Sequence, residues 1–157
     1  MQKITTFLWF DDKAEEAAAF YTSLFDDSRI VDIQRYGEAG PGPKGSVMTV
    51  EFELAGQRYT ALNGGPEFAF TEAISLFVDC ADQTEVDRLW TALTADGGQE
   101  GPCGWLKDRY GLSWQIVPKA MMDYIRDPDE EKSGRAMKAM LGMKKLDVQA
   151  LQKAYEG

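Results

Sequence analysis

The sequence predicts an α+β fold made of two tandem βαβββ modules and a C-terminal helical extension. The first reason is that a strand, a helix and then short strands occur twice in residues 1–117. The second is that short strings repeat at almost the same offset: F-L-W-F-D and F-Y-T-S-L at 7–11 and 20–24, then S-L-F-V-D and L-W-T-A-L at 75–79 and 89–93. We interpret this as an internal duplication of about 60 residues. Chance similarity of short apolar strings is the alternative.

The first module spans residues 1–63. Residues 3–10 predict a strand, and Asp11 or Asp12 is expected to cap a helix over 11–25, whose apolar residues have helical spacing. A strand at 29–36 is followed by a loop at 37–45 that is rich in Gly and Pro. Residues 47–54 and 57–63 predict two strands, and Ala55-Gly56 between them indicates a hairpin.

The second module spans residues 72–117, after a linker at 64–71 that begins with Gly64-Gly65-Pro66. It contains a predicted strand at 73–79, a helix at 82–95 and short strands that end at Val117. In the last strand, alternation sends Leu112, Trp114 and Ile116 to one face and Ser113, Gln115 and Val117 to the other. Whether Gln115 faces bulk solvent or a pocket cannot be read from this alternation alone.

Residues 118–157 form the predicted helical extension, and we expect one compact domain overall. The segment D-P-D-E-E at 127–131 interrupts the helical pattern, and two apolar helix faces follow it. Either these helices pack on the sheets of the same chain, or their flexible methionines contact a second subunit.

The composition excludes several classes of function. The net charge is −9, from 26 acidic and 17 basic residues, and this weighs against binding to nucleic acid or to an anionic membrane. No apolar run approaches the length of a membrane-spanning helix. Two cysteines are too few for a disulfide framework, so we expect a cytoplasmic protein with reduced thiols.

The chain contains no histidine. This removes the Ser-His and Cys-His nucleophile pairs and every metal site that needs an imidazole. Cys103 remains a weak catalytic candidate, because a thiol needs a nearby base or cation for activation and only Lys107 and Arg109 are close in sequence.

Four motifs resemble the vicinal oxygen chelate superfamily, and most closely its PhnB-like, demethylubiquinone-methyltransferase-like branch. They are F-L-W-F-D-D-K-A-E-E-A-A-A-F-Y-T-S-L-F, L-N-G-G-P-E-F-A-F-T-E-A-I-S-L-F-V, C-G-W-L-K-D-R-Y-G-L-S-W-Q-I-V-P and R-A-M-K-A-M-L-G-M-K-K-L-D. The superfamily includes glyoxalase I, bleomycin-resistance proteins and extradiol dioxygenases. The resemblance implies curled mixed sheets around an open cup, usually in a homodimer.

Metal-dependent relatives hold a divalent ion on side chains from four strands. The matching positions in this chain fall near Thr5 or Thr6, Leu62 or Asn63, Ala73, and Gln115. None of these residues is a histidine or a carboxylate, and a shift of one residue brings in only Glu72 or Trp114. We therefore expect no metal and no cofactor.

A small, partly apolar or aromatic molecule is the predicted ligand of the cup, because ligand sites combine apolar surface with a few polar groups. The candidate ligand-binding residues are Thr6, Trp9, Asn63, Trp105, Trp114 and Gln115. A binding or sequestering role is the leading hypothesis. The alternatives are a metal-independent isomerase or transferase, and a protein-interaction module that uses the methionine-rich helices. Methyl transfer itself fits poorly, since no Gly-rich turn follows the first strand.

Overall fold

The computed structural model describes residues 2–157, and the chain divides into two compact units, Met1–Ala69 and Phe70–Gly157. The division falls inside the segment 64–71. Within the described residues, each unit contains one four-stranded mixed sheet that does not close into a barrel, with one helix in unit 1 and four in unit 2. The predicted α+β fold of two βαβββ modules is confirmed.

Unit 1 contains one helix and four strands. They are β1 (Thr6–Phe10), α1 (Ala14–Leu24), β2 (Arg29–Arg35), β3 (Val47–Leu54) and β4 (Gln57–Asn63). The strand order is β1-β4-β3-β2, with β1 parallel to β4 and the other pairs antiparallel. Ala55 and Gly56 both have positive φ, of 48° and 81°, which is the backbone of a two-residue hairpin. The predicted hairpin is therefore confirmed.

One face of the first sheet is covered by α1, and side chains alternate across the strands. The rings of Tyr21 on α1 and Phe52 on β3 lie 6.4 Å apart, and Phe52 stacks on Tyr59 at 5.6 Å. By register, Thr6 shares this α1 side, because it is the partner of Tyr59. Trp9, three residues along β1, lies on the opposite face, the α1-distal face.

The start of α1 differs from the prediction. Neither Asp11 nor Asp12 is its N-cap residue: the helix begins at Ala14, and Lys13 occupies the N-cap position without a side-chain cap. The cap comes instead from the end of β4, where Asn63 Oδ1 accepts a hydrogen bond from the Ala14 N–H at 2.8 Å. A partner 49 residues away in sequence is invisible to local patterns, and this explains the error.

Unit 2 repeats the topology of unit 1. Its elements are β5 (Ser75–Cys80), α2 (Gln83–Thr94), β6 (Gln99–Glu100), β7 (Trp105–Lys107) and β8 (Ser113–Pro118), followed by α3 (Lys119–Ile125), α4 (Glu130–Leu141) and α5 (Val148–Glu156). The sheet order is β5-β8-β7-β6, and β5 is parallel to β8 as β1 is to β4. Asp82 caps α2 by accepting a hydrogen bond from the Glu85 N–H at 2.9 Å.

The helical extension is part of unit 2. Val117 at the end of β8 packs in a buried cluster with Met121, Leu146 and Leu151, and Met140 and Met143 pack against this cluster. Backbone hydrogen bonds of 2.8 Å join Cys103 N–H to Met143 C=O and Gly104 N–H to Lys144 C=O. These methionines therefore pack within the chain. None of the helices found between residues 2 and 157 combines the length and the apolar character that a membrane crossing requires.

Candidate functional site

The face of the second sheet opposite α2 carries the candidate site, and we call it the α2-distal face. The buried side chains of Trp114, Leu106 and Ile116 lie on the α2 side, where Trp90 Nε1 on α2 donates a 2.7 Å hydrogen bond to Glu100. Strand alternation then sends the intervening residues to the other side. The α2-distal face comprises Ser75, Phe77, Trp105, Lys107, Ser113 and Gln115.

One row of this face places an amide between two aromatic rings. Gln115 on β8 is the register partner of Phe77 on β5 and of Trp105 on β7. Phe77 is 50% exposed, a high value for a large apolar side chain in a strand. Gln115 is partly buried, and its Nε2 donates a 3.0 Å hydrogen bond to Ser75 Oγ. This row offers apolar surface with one polar group at its centre.

The neighbouring row is polar. Ser113 is the register partner of Ser75 on one side and of Lys107 on the other. Ser113 is only 1% exposed, and its Oγ has no hydrogen-bond partner within residues 2–157. A buried hydroxyl without a partner is unfavourable unless something else supplies one. Lys107 forms an ion pair with Glu72, and this hydrogen bond holds the pKa of Glu72 below its usual value.

Trp114 lies behind the candidate site, on the α2 side. It is 1% exposed, and its Nε1 donates a 2.9 Å hydrogen bond to Asp108 Oδ2. Asp108 Oδ1 also accepts from the Tyr110 and Leu112 N–H groups, at 2.9 and 3.1 Å. Trp114 and Asp108 therefore anchor the turn between β7 and β8, and Trp105 and Gln115 share a face that Trp114 does not.

In unit 1 the predicted ligand residues divide between the two faces of the sheet. Trp9 lies on the α1-distal face, with its Nε1 donating to Gly65 C=O at 2.9 Å and its ring 4.9 Å from the ring of Phe68. Thr6 lies on the α1 side. Three charged side chains share the α1-distal face, where Arg58 pairs with both Glu51 and Glu53, at 3.1 and 3.7 Å.

Asn63 lines a cavity of about 450 Å³ in unit 1, together with Asp11, Asp12, Glu15, Tyr36, Pro41, Gly42, Pro43, Ser46, Val47, Gly64 and Gly65. Its amide serves the fold: Oδ1 accepts from Ala14, and Nδ2 donates to Val47 C=O at 3.1 Å. Its own carbonyl accepts a hydrogen bond from the Tyr36 hydroxyl. The charged groups that line this cavity, the carboxylates of Asp11, Asp12 and Glu15, are exposed to solvent.

The two cysteines differ in their surroundings. Cys80 is fully buried, and burial, as the largest effect, raises the pKa of its thiol to about 12. Cys103 is partly exposed, and its backbone has a positive φ of 58°. The two cations near Cys103 in sequence, which could lower the pKa of a thiol, form ion pairs with carboxylates. Lys107 pairs with Glu72, and Arg109 pairs with Asp96.

The residues at the expected metal-ligand positions do not fit a divalent ion. In unit 1, Asn63 uses both ends of its amide within the fold. In unit 2, Gln115 Nε2 donates to Ser75 Oγ, Ala73 has no ligating side chain, and the carboxylate of Glu72 is paired with Lys107. Across residues 2–157, no group of three or more Asp, Glu or Cys side chains is arranged to hold a metal.

Sequence reasoning missed four residues of the α2-distal face: Ser75, Phe77, Lys107 and Ser113. Ser113 carried a usable signal, because it lies two residues before Gln115 and alternation puts both on one face. Phe77 and Lys107 join them only through strand register. The length of the turn at 108–112 sets part of that register.

Comparisons with known proteins identify relatives of this chain. Residues 2–117 match the family described as 3-demethylubiquinone-9 3-methyltransferase. A structure from Bacillus cereus, titled putative 3-demethylubiquinone-9 3-methyltransferase, PhnB protein, is 44% identical with a TM-score of 0.67; the match covers 74% of this chain and 99% of that one.

Two further solved structures are similar. A protein from Staphylococcus aureus is 36% identical, with a TM-score of 0.34, over 73% of this chain and 94% of that one. A protein from Pseudomonas aeruginosa is 19% identical, with a TM-score of 0.62, over 76% of this chain and 98% of that one, and it shows the same fold. No match was found among curated proteins.

Proposed function

We propose that this chain, which belongs to the 3-demethylubiquinone-9 3-methyltransferase family of PhnB-like proteins in the vicinal oxygen chelate superfamily, binds a small, partly aromatic molecule without a metal. The ligand lies against the α2-distal face. The proposed role is binding or sequestration, which requires surface complementarity and no catalytic group.

The single observation that carries the proposal is the row Phe77, Gln115 and Trp105 beside the buried, unpartnered Ser113 hydroxyl. Aromatic surface with a few polar groups is the usual composition of a small-molecule site. The cavity of unit 1 supports binding less well, because its amide is committed to capping α1 and its carboxylates are solvated.

The family description names a methyltransferase, but the topology of this chain supports binding better than methyl transfer. The Gly-rich turn that holds a dinucleotide or a similar cofactor follows the first strand of a doubly wound parallel sheet. Here each sheet has one parallel pair and two antiparallel pairs. β1 runs into D-D-K-A-E-E, which contains no glycine.

Thermal-shift measurements with a panel of small aromatic compounds test the proposal. A ligand that binds only the folded state raises the melting temperature, by an amount that grows with the ratio of ligand concentration to dissociation constant. We expect hits whose shift is strongly reduced in Trp105→Ala and in Gln115→Ala. Phe68→Ala, which removes an exposed aromatic ring from unit 1, is the matched control and should leave the shift unchanged.

Other outcomes would favour the alternatives. Turnover of a hit that disappears in Cys103→Ala would indicate an enzyme. A melting temperature that responds to a protein partner, and to no compound, would indicate an interaction module that uses the exposed residues Met137 and Leu141. The homodimer implied by the resemblance stays a prediction, and sedimentation equilibrium measures it.

A further inference from the structure

We propose that the ligand of the α2-distal face carries a carboxylate, which Lys107 and the hydroxyl groups of Ser113 and Ser75 bind, while its planar apolar body lies against Trp105 and Phe77. This inference rests on the proposed function, because it names the chemical class of the molecule bound at the same face.

The buried hydroxyl of Ser113 needs a hydrogen-bond partner. Ser113 is 1% exposed, yet its Oγ bonds to no group in residues 2–157. A serine hydroxyl can donate one hydrogen bond and accept two. A ligand atom that accepts a hydrogen bond would satisfy this group, and a purely apolar ligand would leave it without a partner.

The polar row of Ser75, Ser113 and Lys107 is rich in hydrogen-bond donors. Ser75 Oγ accepts a hydrogen bond from Gln115 Nε2, so its own proton is free to point toward a ligand. Lys107, on the other side of Ser113, supplies an ammonium group that can only donate. Two hydroxyl donors and one cation in a line favour a negatively charged group that only accepts, and a carboxylate is such a group.

A ligand can replace Glu72, the present counter-ion of Lys107. Its partner Glu72 lies before β5, with its side chain 61% exposed. Exposed ion pairs contribute little to stability, so a ligand carboxylate can replace Glu72 at small cost. Glu72 therefore competes with the ligand for Lys107.

The spacing of the two rows of side chains fits an aromatic carboxylate. Neighbouring strands lie about 4.8 Å apart, so each row of three side chains spans about 10 Å. The two rows are separated by two residues along each strand, which is about 7 Å. A carboxylate joined to one or two fused aromatic rings bridges this distance.

Calorimetric titration of the full-length protein with three matched probes tests the inference. The probes are 2-naphthoate, 2-naphthamide and 2-naphthylmethylammonium, which share a ring system and differ in charge. At neutral pH and low salt, we expect 2-naphthoate to bind about tenfold more tightly than 2-naphthamide, and the ammonium probe to bind most weakly.

Substitutions should move the two probes differently. Lys107→Met should weaken 2-naphthoate about tenfold and leave 2-naphthamide within about twofold, and Lys107→Arg should restore most of the loss. Ser113→Ala should also weaken 2-naphthoate. Glu72→Gln should strengthen it, because the competing carboxylate is gone. Lys153→Met, which removes an exposed cation from α5, is the control and should change neither probe.

Different results would overturn binding of a carboxylate and binding of any small aromatic molecule. If 2-naphthamide binds as tightly as 2-naphthoate, or if Lys107→Met weakens both equally, the carboxylate inference is wrong and the proposed function stands. If neither probe binds, the proposed function is wrong and the inference falls with it. Circular dichroism of each variant separates a loss of binding from a loss of folding.

Discussion

At the scale of single residues, polar side chains that look suited to ligands divide into two groups. Asn63 and Asp108 use their polar atoms to hold the fold, whereas Ser113 keeps a buried hydroxyl without a partner among the described residues. This difference cannot be read from residue type. It follows from which groups the fold brings within hydrogen-bond distance.

Replacing Asp108 with alanine should destabilise the protein by about 2–4 kcal/mol, because three donors in a buried turn lose their acceptor. Asp108→Asn should be less harmful, since its oxygen can still accept from one side. Urea denaturation measures the change. Asp123→Ala, at an exposed carboxylate, is the control, and an equal loss in both variants would contradict the assigned role.

Replacing Asn63 with alanine should cost about 1–2 kcal/mol, because α1 loses its cap and Val47 loses a donor. Asn63→Asp keeps the acceptor for Ala14 and should retain part of the stability. Thermal denaturation of the three proteins gives the order. If Asn63→Ala melts like the wild type, its amide is not structural, and the ligand-binding interpretation regains weight.

The two thiols should react at very different rates. At mildly alkaline pH the Cys80 thiol stays protonated, because burial raises its pKa to about 12. A thiol reagent should therefore label Cys103 in the native protein and reach Cys80 only after unfolding. Loss of the fast reaction in Cys80→Ser, rather than in Cys103→Ser, would contradict this assignment.

At the scale of elements, neighbouring residues in the sequence predicted the turns and helices that neighbouring residues determine. Ala55-Gly56 indicated a hairpin, and both residues adopt the positive φ of such a turn. The helix predicted at 82–95 is α2, at Gln83–Thr94. The cap of α1 was missed because its donor and acceptor are 49 residues apart. Trp114 and Gln115 were both candidates for the site, yet neighbours in a strand must lie on opposite faces.

The contact between α5 and the segment before α4 should depend on pH. Tyr155 donates a hydrogen bond to Asp127 Oδ2, which lowers the pKa of Asp127 and raises that of Tyr155. The lowered carboxyl pKa contributes stability above about pH 4, and this is lost as the pH falls through the folded value. The raised phenol pKa contributes below about pH 10, and this is lost as the pH rises through the folded value.

Tyr155→Phe tests this pH dependence, because it keeps the ring that lies 4.7 Å from Tyr124 and removes only the hydroxyl. The difference in melting temperature between wild type and variant should be largest near neutral pH and should shrink toward both ends of the pH scale. A difference that stays constant across this range would show that the hydroxyl contributes nothing through Asp127.

At the scale of the whole molecule, the helical extension packs as part of the second unit. The family match ends at residue 117, and the Bacillus cereus relative is almost fully covered by 74% of this chain. Yet Val117, the last apolar residue of that match, lies in one buried cluster with Met121, Leu146 and Leu151 from the extension. Sequence patterns predicted the helices, and only the fold revealed that this core depends on them.

Leu146→Ala should therefore destabilise the protein by about 3 kcal/mol, since it opens a cavity at a fully buried site. Leu141→Ala is the matched control in the same extension: Leu141 is 62% exposed, and the same substitution there should change stability by less than about 0.5 kcal/mol. Equal effects at the two positions would mean that the extension does not pack on β8 as described.

Binding of a small aromatic molecule through Phe77, Gln115 and Trp105, with no metal taking part, is the function we propose for this fold. Calorimetric titration of 2-naphthamide into protein dialysed against EDTA, beside Trp105→Ala treated in the same way, tests it most directly. We predict saturable binding to the wild type that is at least about fivefold weaker in Trp105→Ala. Binding that appears only after manganese, zinc or nickel is added back, or that is unchanged in Trp105→Ala, would contradict the claim.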